Sequence, residues 1–177
     1  MIAVAIGFVV IAMILCAAAV FGLLGAGQIA LSGADAIERD GLARGQRAPA
    51  WTLTDCAGIA RSSPPPGPLQ MVIFADHSLA AFPSVIDGLR AVRDAEIVIL
   101  TRGRCEDSTA QLDRLGLAEI PVLTAGPALY ASYNVRVMPF AIFVDRAGIV
   151  RGSSLINYDW QVAKLRQIAA LSDLQAV

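Results

Sequence analysis

The sequence predicts an α/β domain, a central mixed sheet flanked by helices, preceded by one N-terminal transmembrane helix. Charged side chains are absent from Met1 to Ala34 and ordinary in number from Asp35 onward, so the chain is written for two solvents. Two continuous apolar runs, Met71-Val72-Ile73-Phe74-Ala75 and Ile97-Val98-Ile99-Leu100, enclose a stretch of helical periodicity. That β-α-β order implies a parallel pair joined by a right-handed crossover. A third run, Phe140-Ala141-Ile142-Phe143-Val144, turns at Asp145-Arg146-Ala147-Gly148 into a further strand and a closing helix.

The apolar stretch from Ile2 to Leu24 is long enough, at about 1.5 Å per residue, to cross a hydrocarbon core of about 30 Å. A cleavable signal peptide would need a basic n-region and a shorter apolar core, and this run has neither. The lipid bilayer is therefore the first expected partner. Residues 1–27 form the expected span, 28–46 a linker or amphipathic juxtamembrane helix, and 47–177 the domain. With 177 residues there is room for that one domain and its anchor. Arg39, Arg44 and Arg47 follow the span, and counted alone they favour a cytoplasmic domain. Cys16, inside the run, reads as a small apolar residue.

In the domain, residues 51–53 read as an opening strand that turns over 55–58. Residues 62–68, Ser-Ser-Pro-Pro-Pro-Gly-Pro, can donate few backbone hydrogen bonds and read as a stiff surface loop. The first central strand, 71–75, is expected to be buried on both faces. A helix over 80–93 presents Val85, Ile86, Leu89 and Val92, and a second over 107–115 ends at Gly116 in a left-handed cap. A helix over 128–133 leads to Val137-Met138-Pro139 and the final hairpin. The closing helix is expected to be capped by Asn157 and to bury Tyr158, Val162, Leu165 and Ile168.

This order, ending in Val137-Met138-Pro139-Phe140-Ala141-Ile142-Phe143-Val144-Asp145, resembles the thioredoxin fold in its membrane-tethered bacterial branch. The resemblance alone implies a cis bond before Pro139, because X-Pro bonds are cis in only about 5–6% of cases. The stretches GQRAPAWTLTDCAG and LDRLGLAEIPVLTAGPALYASYNVRVMPFAIFVDRAGIVRGSSL, with the following IN, are similar to the methylamine-utilisation accessory protein D family over almost the whole chain. Such proteins sit on the outer face of the bacterial cytoplasmic membrane and assist maturation of a periplasmic amine dehydrogenase. The resemblance implies a single-pass protein with an extracytoplasmic domain, and it overrides the charge count above.

The departure from the pattern is chemical. Thioredoxin-like oxidoreductases place Cys-x-x-Cys after the first central strand, where a helix N-terminus favours the thiolate. Here that region reads Phe74-Ala75-Asp76-His77-Ser78-Leu79-Ala80-Ala81-Phe82-Pro83, with Leu79 and Phe82 at the thiol positions. Neither side chain can exchange a disulfide. His77 reads as an exposed or capping residue or as a general base, and Ser78 as an N-cap more readily than as a nucleophile. Relatives with the motif bind extended peptide between it and the cis-proline loop. His77, Ser78, Leu79, Phe82, Met138 and Pro139 thus form a degenerate site and a candidate partner surface.

Cys56, in the opening turn, and Cys105, in the loop after the second central strand, are the remaining thiols. They stand as a structural bridge, as unpaired bystanders, or as a reactive centre. No ligand set for a metal, no phosphate loop and no cofactor motif is expected. A net charge of −1 without a basic block argues against nucleic acid. The expected function is a non-catalytic, redox-inactive, membrane-anchored accessory or scaffold protein. Its partner would be a periplasmic or membrane redox enzyme whose assembly or maturation it supports. The alternatives are a divergent thiol-disulfide oxidoreductase using Cys105 or Cys56, and a permanent structural subunit of a respiratory or photosynthetic complex.

Overall fold

In a computed structural model of the chain, residues 40–76 and 83–171 are described. The apolar N-terminal run and residues 77–82 lie outside them, and so do the expectations that fall there. Among the described residues no helix is long and apolar enough to cross a membrane.

The elements run β1 (Trp51–Thr54), β2 (Ala60–Ser63), β3 (Leu69–Phe74), α1 (Ile86–Ala91), β4 (Glu96–Thr101), α2 (Cys105–Arg114), β5 (Val122–Thr124), α3 (Pro127–Ser132), β6 (Phe140–Asp145), β7 (Val150–Leu155) and α4 (Asp159–Leu171). Five strands form one sheet in the order β5-β4-β3-β6-β7. β3, β4 and β5 are mutually parallel, whereas β6 runs antiparallel to β3 and β7 antiparallel to β6. β1 and β2 pair as a separate antiparallel hairpin.

Alternation along β3 divides the core in two, since successive side chains of a strand point to opposite faces. Met71 and Ile73 pack with Leu89 of α1, Leu112 of α2 and Val162 and Leu165 of α4. Val72 and Phe74 pack on the other face with Trp51, Tyr130 and Tyr133. Both faces of the central strand are buried, as its unbroken apolar run requires. Tyr133 is fully buried because its hydroxyl is satisfied: it accepts from Trp51 Nε1 at 3.1 Å and donates to the Pro49 carbonyl at 2.9 Å.

Several elements differ from their expected form. Ser62 and Ser63 are not loop but the end of β2, in register with Thr52 and Trp51. The Pro-rich segment therefore begins only at Pro64. β5 was not expected at all; it is three residues long, too short for a periodic signal, and its pairing with β4 supplies the stability. α1 ends at Ala91, so Val92 is buried from an extended position beyond the helix. In α4 the apolar face is Val162, Leu165 and Ala169, and Tyr158 lies ahead of the helix, 56% exposed. Gln161, rather than Asn157, satisfies that helix start, its Oε1 accepting from the Asn157 and Tyr158 amides.

Two glycines have backbone reasons. Gly116 adopts φ +66° after α2, the expected left-handed cap, which spares it the Cβ–carbonyl clash. Gly41 has φ +85°, and a Cβ there would lie 2.5 Å from the Phe140 ring. That close approach lays residues 40–46 against the domain. The Gly41 amide donates to the Asn134 carbonyl, the Gly45 amide to the Val150 carbonyl, and Leu42 is buried.

Candidate functional site

The topology brings the chemistry-bearing residues to one edge of the sheet. Parallel β3, β4 and β5 all end there, and β6 begins there, because Phe74 pairs with both Leu100 and Phe140. Along this edge lie Asp76 after β3, Arg102 and Cys105 after β4, Thr124 at the end of β5, and Met138 and Pro139 ahead of β6. His77, Ser78, Leu79 and Phe82 fall outside the described residues. Among the sequence-derived candidates, then, the structure locates Met138, Pro139, Cys56 and Cys105.

The Met138–Pro139 bond is cis. The Pro139 carbonyl accepts from the Ile156 amide at 3.0 Å, which ties the loop to the chain leaving β7. Met138 is half-buried and Val137 is 50% exposed. Tyr158 and Trp160, the latter 60% exposed, follow directly from Ile156. Val137 ahead of Pro139, and Tyr158 and Trp160 after Ile156, are thus exposed apolar and aromatic side chains on the two segments that this hydrogen bond joins.

Between that loop and β5 stands a polar cluster that sequence reasoning missed. Arg102 donates from its backbone amide to Asp76 Oδ1 at 3.1 Å, and from Nε to Asp76 Oδ2 at 2.7 Å, with a further contact from Nη2. The same guanidinium lies 5.0 Å from the centre of the Tyr130 ring, within cation–π range. The Tyr130 hydroxyl donates to the Leu100 carbonyl at 2.8 Å. Burial works against the Asp76 charge, but the Arg102 hydrogen bonds outweigh it and hold the carboxyl below its usual range. Burial, then the Asp76 carboxylate, pushes the Tyr130 hydroxyl well above its ordinary value, so it stays a donor. Asp76 follows a strand directly, a weak hint; nothing in the sequence links it to Arg102 or Tyr130.

Cys56 and Cys105 form a disulfide with their Cα atoms 5.6 Å apart. This corrects the reading of the two as unpaired bystanders, and Cys105 is not in a loop but is the first residue of α2. The pairing depends on the hairpin. Asp55 bridges to Leu123, and the Cys56 amide donates to the Val122 carbonyl at 2.8 Å, placing Cys56 beside β5. Asp55 organises that turn, accepting from the Ala57 and Ile59 amides and from Arg61 Nε. Burial opposes its charge, and these three donors more than offset the penalty, so its carboxyl lies below the usual range. Arg61 also reaches Glu96, whose carboxylate accepts from Gln70 as well. Among the described residues no cluster of His, Cys, Asp and Glu could hold a metal ion.

No family model and no curated protein sequence matches this chain. Solved structures do match. The thioredoxin domain of a thiol-disulfide oxidoreductase from Bacteroides vulgatus is 21% identical with a TM-score of 0.57, covering 70% of this chain and 97% of that one. A thiol:disulfide interchange protein from a Bacteroides species is 20% identical with a TM-score of 0.57, covering 73% and 91%. StoA from Bacillus subtilis is 11% identical with a TM-score of 0.52, covering 67% and 96%. The domain thus has a mixed α/β, thioredoxin-like fold.

Proposed function

We propose that this thioredoxin-like domain is the extracytoplasmic part of a single-pass membrane protein that binds a polypeptide client without thiol exchange at the usual place. The client is a periplasmic or membrane redox enzyme in assembly, as the similarity to methylamine dehydrogenase accessory proteins suggests. One observation carries the reading: Val137, Tyr158 and Trp160 are exposed close in the chain to Pro139 and Ile156, which a backbone hydrogen bond joins, with Met138 half-buried between, and the sequence 75–83 holds no cysteine. Aromatic and Met side chains of this kind are the residues that protein interfaces favour.

Photo-crosslinking in native membranes tests this. A photoreactive residue at 137 or 160 in the full chain is expected to capture one recurrent protein, and the same residue at exposed Arg93, ahead of β4 at the opposite end of the sheet, is not. Purification in gentle detergent is expected to retain that protein. A lone monomer by both methods overturns the proposal.

A further inference from the structure

We propose that Cys56–Cys105 is a thiol-disulfide exchange site, standing at the outer strand of the sheet, that accepts electrons from a dithiol in a client polypeptide. This chemistry goes beyond the binding role above and does not depend on it. β4 and β3 lie between β5 and β6, so at an inter-strand spacing of roughly 4.8 Å the disulfide is on the order of 14 Å from the Pro139 loop.

The two sulfurs stand in unlike surroundings. Cys105 opens a ten-residue helix whose N-cap, Arg104, makes no side-chain capping bond, so the first-turn amides and the positive end of the helix dipole lie at this residue. Thr124 Oγ1 is 3.6 Å from Cys105 Sγ, and since a disulfide sulfur has no proton, only the hydroxyl can donate. Both features favour a thiolate on Cys105. Glu106 and Asp107 in the same turn oppose it, but Glu106 is paired with Arg104. Asp55, the nearest carboxylate on the hairpin, is committed to Arg61. Cys56 instead lines an open groove of about 290 Å³ with Ile59, Thr109, Glu119 and Pro121, and Ile59 is 53% exposed.

That asymmetry assigns the roles. A client thiolate in the groove attacks Cys56 Sγ; the Cys56–Cys105 bond breaks and its electron pair leaves on Cys105 as the thiolate, the lower-pKa thiol being the better leaving group. The client's second thiolate then attacks the client sulfur of the mixed disulfide and expels Cys56, which takes a proton. The client dithiol is oxidised to a disulfide, and the chain's disulfide is reduced to two thiols. The hairpin has attachments besides the bond. Arg61 still joins Asp55 to Glu96, Gln70 still donates to the Ser62 carbonyl, and the Cys56 amide still reaches Val122.

The test uses the full chain in detergent micelles, with Cys16→Ser to remove the third thiol. Reduction by dithiothreitol at pH 7 is expected at least tenfold faster per disulfide than that of oxidised glutathione, and a smaller ratio overturns the proposal. In the Cys56→Ser variant, iodoacetamide alkylation of Cys105 is expected to be half-maximal below pH 8, and Thr124→Val is expected to raise that point. A half-point at or above pH 8 overturns it. If Cys56→Ser does not fold, the reduction rate of the intact pair decides alone.

Discussion

At the scale of single residues, the Asp76–Arg102–Tyr130 cluster is the part of the site edge with the clearest electrostatic consequence. Asp76 has a side chain 19% exposed and accepts charge-assisted hydrogen bonds from Arg102. Replacing it by Asn is expected to lower unfolding free energy by about 1.5–3 kcal/mol, the range for hydrogen bonds to charged groups. The pH dependence has a definite sign. The folded carboxyl lies below its unfolded value, so its contribution is full above about pH 4 and is lost as pH falls through the folded pKa. Denaturant titrations between pH 2 and 6 should therefore show a shallower acid limb in Asp76→Asn than in the parent. An unchanged slope would mean that the Arg102 contact does not persist in solution.

At the scale of elements, the β1–β2 hairpin decides where Cys56 goes. Arg61 is its hinge to the sheet, meeting Asp55 and Glu96, each at 3.1 Å, with the Asp55 side chain 4% exposed. Arg61→Ala leaves a buried carboxylate without its cation, a change expected to cost about 3 kcal/mol because the remaining charge is uncompensated. Hydrogen exchange at the amides of β1 and β2 should speed up more than at β3 or β6, since the loss falls on the hairpin's attachment and not on the central ladder. Uniform acceleration across all strands would show instead that the hairpin and sheet open together. β5 belongs to the same argument: three residues paired with β4 persist because the hairpin turn closes their other side through Leu123.

At the scale of the whole molecule, the proposed arrangement is a membrane anchor at residues 1–27 and a folded domain outside the cytoplasm. A C-terminal alkaline phosphatase fusion to the full chain is expected to be active in a bacterial host, because that reporter needs an oxidising compartment. Activity only from a cytoplasmic reporter would reverse the topology and remove the setting in which a Cys56–Cys105 disulfide persists. The cation count after the apolar run points the other way from the resemblance, which gives the measurement its weight.

Much of the fold was legible because periodicity is local. The unbroken runs at 71–75 and 97–100 announced buried parallel strands, and the hairpin at 140–150 followed from a turn between two apolar segments. The absence of cysteine from 75–83 was equally plain, and it determined that no thiol exchange occurs there. What tertiary structure alone decided was juxtaposition. Cys56 and Cys105, 49 residues apart in the chain, meet only because a hairpin docks on a strand too short to announce itself. Arg102 finds Asp76 and Tyr130 only because parallel pairing ends β3 and β4 at one edge. Sequence patterns record which face of an element avoids water; they do not record which elements end side by side, because that depends on contacts between residues far apart in the chain.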